Sequence, residues 1–183
     1  FVRVMYGITN PTTLENLTGD LNPHLDYESH TTTSMNREQS IGDPRGITWN
    51  AEGSLAYVTG MGSNNVIIIY ASGQRPAGAS VIEVGEGPTG IVADNQRNKL
   101  YVLNRFEGTL SIIDMESLSE TTRVAFFDPT PQSIRTGRRH FYDTHRTSGL
   151  GHVSCASCHV DARTDRLAWD LGDPAGNMIA IEA

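Results

Sequence analysis

The residues with the most distinctive chemistry stand near the end of the 183-residue chain, at Cys155-Ala156-Ser157-Cys158-His159. Two thiols three positions apart lie on one side of a helical turn. From there both can add to the vinyl groups along one edge of a haem, while His159 brings its imidazole under the iron as proximal ligand. Both cysteines of the chain sit in this motif, so none is left for a structural disulfide. Two other chemistries also use a Cys-x-x-Cys pair. A thioredoxin-like dithiol follows a βα pattern and does not call for His directly after the second Cys. A structural zinc site needs four ligands, and only His145 or His152 is close enough in sequence to join Cys155, Cys158 and His159. The spacing favours one covalently attached haem c; dithiol and zinc chemistry stand as the alternatives.

The ligand opposite His159 decides between an electron carrier and a catalyst, because two strong ligands block substrate and an open position admits peroxide or oxygen. Met178 is the distal candidate, beyond the turn at Gly172-Asp173-Pro174-Ala175-Gly176, and a core or surface methionine is its plain alternative. His140, His145 and His152 read as surface or hydrogen-bonding histidines. Tyr142 reads either as a porphyrin-packing aromatic or as core.

The elements that must position this motif appear when the chain is slid against itself by 44 residues. Pro44-Arg45-Gly46-Ile47 falls on Pro88-Thr89-Gly90-Ile91, Tyr57-Val58 on Tyr101-Val102, and Asn65 to Ile69 on Thr109 to Ile113. One residue shorter, Val81 to Gly85 matches Val124 to Asp128, and a further Pro-x-x-Ile begins at Pro131. Each unit holds four strand-like runs: Gly46 to Asn50, Leu55 to Thr59, Asn65 to Tyr70 and Ser80 to Val84, then their counterparts. Hairpin turns are expected at Ala51-Glu52-Gly53-Ser54 and Asn95-Gln96-Arg97-Asn98. Four strands in this period predict β-propeller blades, with the apolar third strand, Val66 to Ile69, buried between neighbours; a small antiparallel sandwich is the alternative.

The runs Tyr57-Val58-Thr59-Gly60 and Tyr101-Val102-Leu103-Asn104 resemble the second strand of YVTN-type β-propellers, neither copy matching fully. Residues 137–143, 153–159 and 167–174 resemble the haem segment attached to such propellers, which is similar to the first haem domain of di-haem cytochrome c peroxidases and their MauG-like relatives. The resemblance implies thioether positions at Cys155 and Cys158 and a proximal ligand at His159. No second Cys-x-x-Cys-His follows before Ala183, so a peroxidase-like pair of haems is not encoded in this stretch.

The expected architecture is mainly β: residues 1–42 an irregular segment or the end of a preceding blade, 43–134 a partial β-propeller of about two four-stranded blades, and 135–183 a small, mostly helical and loop cytochrome c segment. Asn10 to Ser40 reads as a long loop, with a strand near Phe1 to Tyr6. Two blades do not close a ring, so further blades or another subunit are expected against the exposed faces. A formal charge of −7 disfavours nucleic acid as a partner, and the longest apolar run, Val66 to Tyr70, is too short to span a bilayer. Phe1 opens neither on Met nor on a secretory signal, and haem attachment follows export, so an export signal is expected upstream and a periplasmic or extracellular location with it. The function these readings favour is electron transfer to a redox partner protein. A peroxidase-like enzyme with its second haem elsewhere, and a propeller-based protein-binding module, are the alternatives.

Overall fold

The computed structural model of the chain describes residues 2–78, 81–160, 163, 167–169 and 179–180. It opens on an antiparallel hairpin of β1 (Met5–Thr9) and β2 (Asn16–Asp20), followed by the short helix α1 (Ser34–Glu38), which Thr33 caps by accepting from the Asn36 N–H. The stretch expected as a long loop therefore carries a strand and a helix. Its buried apolar residues Leu21, Leu25 and Tyr27 are single anchors without a period, which hides the structure from pattern reading.

Each repeat unit is a four-stranded antiparallel meander. The first sheet runs β3 (Pro44–Trp49), β4 (Leu55–Gly60), β5 (Asn65–Tyr70) and β6 (Ile82–Glu83). The second runs β7 (Pro88–Asp94), β8 (Lys99–Asn104), β9 (Thr109–Asp114) and β10 (Ser119–Ala125). The turns fall where turn chemistry puts them. Asn50 Oδ1 accepts from the N–H groups of Ser54 and Leu55, and Asp94 Oδ1 from those of Gln96 and Arg97.

The two sheets stack with their first strands, β3 and β7, side by side, a propeller-like arrangement. Tyr57, Val66, Ile68 and Ile82 of the first sheet meet Leu100, Val102 and Ile113 of the second in one apolar cluster. On its other face the first sheet packs Ala56, Val58, Ile67 and Ile69 against Leu21 and Ile41, with Val4 and Tyr6 beside them. Strand β5 is thus buried on both sides, between a sheet and the N-terminal segment, which accounts for its unbroken Val-Ile-Ile-Ile run. Among the described residues strand β9 has one covered face and alternates accordingly, with Thr109, Ser111 and Ile113 buried and Leu110 and Ile112 partly open.

Buried amides secure the ends of these strands. Asn104 donates to Thr109 Oγ1 (2.9 Å) and Ser111 Oγ (2.7 Å) across the β8–β9 turn. In the first unit Gly60 takes the place of Asn104, and the space admits Asn65, which accepts from Ser63 Oγ and donates to the Ser40 carbonyl at 3.0 Å. The departure from the repeat pattern at Gly60 thus exchanges one amide for another that reaches the N-terminal segment.

After Ala125 the strand pattern stops. The third Pro-x-x-Ile opens helix α2 (Gln132–Tyr142) instead of another strand, with Pro131 at its N-cap, where a missing N–H costs nothing. Arg139 pairs with Glu86 at 2.6 Å, Arg135 donates to the Glu107 carbonyl, and Arg138 lies over the Phe106 ring, so this helix faces the loops joining the strands. Helices α3 (Thr144–Thr147) and α4 (Cys155–Cys158) follow, and a two-residue ladder pairs β11 (Ala168–Trp169) with β12 (Ile179–Ala180). Among the described residues no helix is long and apolar enough to cross a membrane.

Candidate functional site

Cys155 and Cys158 are the first and last residues of α4, with Cys155 exposed and Cys158 half-buried. The turn is built by a reciprocal pair of serines. Ser157 Oγ accepts from the Ser154 N–H at 3.0 Å, and the Ser154 side chain meets the Ser157 N–H. His159 closes the turn, its N–H donating to the Cys155 carbonyl at 3.0 Å. The helical turn expected from the spacing of the two cysteines is present.

His159 Nδ1 lies 3.2 Å from the carbonyl oxygen of Arg163. A carbonyl only accepts, so Nδ1 carries the proton, and in the neutral ring Nε2 keeps its lone pair. A second interaction of this kind is what holds a metal-binding imidazole in one tautomer. Phe141 flanks the ring at 6.4 Å between centroids. Met178, the distal candidate, lies outside the described residues.

Two of the other histidines near the motif, His145 and His152, are engaged by backbone carbonyls. His145 Nε2 is 3.1 Å from the Ser40 carbonyl, and His152 Nε2 donates to the Val2 carbonyl at 2.8 Å with its ring edge-on to Tyr27. Burial holds His152 below the ordinary imidazole range, the bond to Val2 opposing this. His140 is exposed on α2. Among the described residues no three His, Cys, Asp or Glu side chains gather to hold a metal ion, so the set a zinc site would require is not assembled there. Tyr142, half-buried, packs against Phe106 at 4.6 Å and Phe141 at 5.0 Å.

The segment carrying the thiols is docked on one end of the first sheet. The buried Thr144 donates its N–H to the Gly62 carbonyl at 2.8 Å, Ser40 Oγ donates to the Leu150 carbonyl at 2.9 Å, and Thr32 N–H donates to the Gly149 carbonyl at 3.2 Å. One residue that sequence reasoning passed over reaches the motif directly. Asp43, just before β3, accepts from Ser157 Oγ at 2.9 Å through Oδ1 and from Ser154 Oγ at 3.2 Å through Oδ2. Burial raises its carboxyl above the usual range, and the bonds from Ser157 and Ser154 and the charge of Arg45 oppose that rise. A signal for it was present in the repeat, where Asp43 stands at the position of Gly87.

No protein-family model and no curated protein sequence matches the chain. Among solved structures, parts of the backbone resemble hydrazine synthase of Kuenenia stuttgartiensis, at 18% identity over 57% of this chain and 27% of that one, with a TM-score of 0.44. They also resemble apo AztD of Citrobacter koseri, at 17% identity over 67% and 29%, with a TM-score of 0.45. A 6-phosphogluconolactonase-like protein of Bacteroides fragilis is similar at 13% identity over 70% and 34%, with a TM-score of 0.47. The matched regions thus amount to between 27% and 34% of these longer chains.

Proposed function

We propose that the chain is a c-type cytochrome segment on a β-propeller scaffold, carrying one haem c outside the cytoplasm and passing single electrons to a redox partner protein. The observation that carries this reading is the Cys155–Cys158 turn closed by His159, with Nδ1 engaged by the Arg163 carbonyl and Nε2 left to coordinate. The donor set fits the group. Cys155 and Cys158 would hold it through two thioethers, each S–H adding across one vinyl double bond with sulfur and hydrogen going to its two carbons. His159 would supply the proximal nitrogen, and Phe141 would shield that ring from water. Bound there, the haem supplies one-electron chemistry at its iron.

Expression with export into a haem-attaching compartment, followed by intact-mass and optical analysis, tests the reading. One haem per chain, lost in the Cys155→Ala/Cys158→Ala double variant, is the expected result. A six-coordinate, low-spin spectrum indifferent to peroxide is expected of a carrier; a five-coordinate haem that reacts with peroxide makes the protein a catalyst instead. Purified protein without covalent haem sinks the proposal.

A further inference from the structure

The two repeat units share a strand order and, at their first three strands, a 44-residue offset, so each is a control for the other. At equivalent positions the chain adopts the left-handed conformation twice, at Gly87 with φ +63° and at Asp43 with φ +48°. Glycine takes that conformation without strain, and among residues with a side chain aspartate and asparagine tolerate it best. The second unit uses glycine; the first keeps an aspartate. The aspartate at this left-handed position adds a side chain that its counterpart lacks. That side chain spans both serines of the thiol-bearing turn, whereas Gly87 has no carboxylate to offer.

A second substitution accompanies the first. Gly62 stands where the other unit has Phe106, and a Cβ there would lie 2.8 Å from Asp43 Oδ2, 2.7 Å from Thr144 Cγ2 and 3.0 Å from the Tyr142 carbonyl. The first unit departs from the repeat at the residue that grips the turn and at the residue that clears its path.

We propose that Asp43 is the positioning residue of the haem-attachment turn: its carboxylate bridges Ser154 and Ser157 and so aims Cys155 and Cys158 together from the end of the first sheet. The proposal rests on the cytochrome reading for the identity of the group, while the geometry it assigns to the two thiols is testable without haem. Asp43→Gly removes the bridge and relieves the backbone; Asp43→Asn keeps an acceptor and a short side chain at the same place.

In the reduced, haem-free full chain, phenylarsine oxide reports the pair, since it closes a ring with two neighbouring thiols and releases water. Asp43→Gly is expected to bind it several-fold more weakly than wild type while unfolding at the same or higher urea concentration. Asp43→Asn is expected to restore the binding, and covalent haem per exported chain is expected to follow the same order. Wild-type arsenical affinity in Asp43→Gly overturns the proposal. So does a loss of stability that parallels the loss of affinity and is not rescued by Asn, since that marks a structural strut. Wild-type protein without covalent haem, with the arsenical order intact, removes the cytochrome reading and leaves Asp43 positioning a dithiol.

Discussion

His152 illustrates how far a single side chain in this segment is committed to the fold. Its Nε2 donates to the Val2 carbonyl, while its Nδ1 is buried without a hydrogen-bond partner. Protonation would place a second buried N–H where nothing accepts it, and burial lowers the pKa accordingly; His24, facing Asn36 and Arg75, is lowered in the same way. In the unfolded chain both histidines bind protons near the ordinary imidazole value of about 6.5. Between the folded value and 6.5 the unfolded state therefore holds more protons. The stability from these histidines is fully present above that range and is lost as pH falls through it, by at most about 1.4 kcal/mol per pH unit for each proton taken up. Urea unfolding from pH 7.5 to 5 measures this slope, and His152→Gln is expected to flatten it. An unchanged slope in that variant assigns the effect to other groups.

Between elements, the contact to probe is the junction of α3 with the β4–β5 connection, where Gly62 receives Thr144. Gly62→Ala is expected to cost about 1–3 kcal/mol in urea unfolding, because backbone and a fully buried threonine border the added methyl. The Thr144 amide, which donates to Gly62, is expected to lose hydrogen-exchange protection with it. Gly137, in α2, has no atom within 4 Å of an added Cβ, and Gly137→Ala is expected to gain about 0.5–1 kcal/mol from helix propensity. The strands were legible in the sequence for the reason these contacts were not. Alternation and turn residues are local signals, and they placed β3 to β5 and β7 to β10 within a few residues of their ends. Strand β2 and helix α1 lack a period, and Asp43 meets its serines across 111 and 114 residues, a pairing no local pattern encodes. The Cys-x-x-Cys-His turn was legible because its chemistry is confined to five consecutive positions.

At the scale of the molecule, the apolar surface that joins the first sheet to the second is repeated on the outer side of the second. Val92 pairs with Tyr101 and Tyr101 with Ile112 in one row; Leu103 pairs with Leu110 and Leu110 with Val124 in the next. Val92, Leu103 and Val124 are 57%, 37% and 48% exposed, an apolar patch on a chain of net charge −7. Purified as residues 1–183, the protein is expected to self-associate with rising concentration, and Leu103→Lys with Ile112→Lys to abolish this in sedimentation velocity without altering unfolding. A monomer at all concentrations contradicts that expectation. The bridge from Asp43 to Ser154 and Ser157 has a consequence in time as well as in space. Both sheets are formed by neighbours in sequence, every hairpin except the longer β5–β6 connection closing a loop of a few residues, whereas the bridge closes one of more than a hundred. Loop-closure entropy delays such contacts until the rest of the chain is compact. The thiol-bearing turn is therefore expected to settle after the two sheets, in company with the still longer-range contact of His152 with Val2.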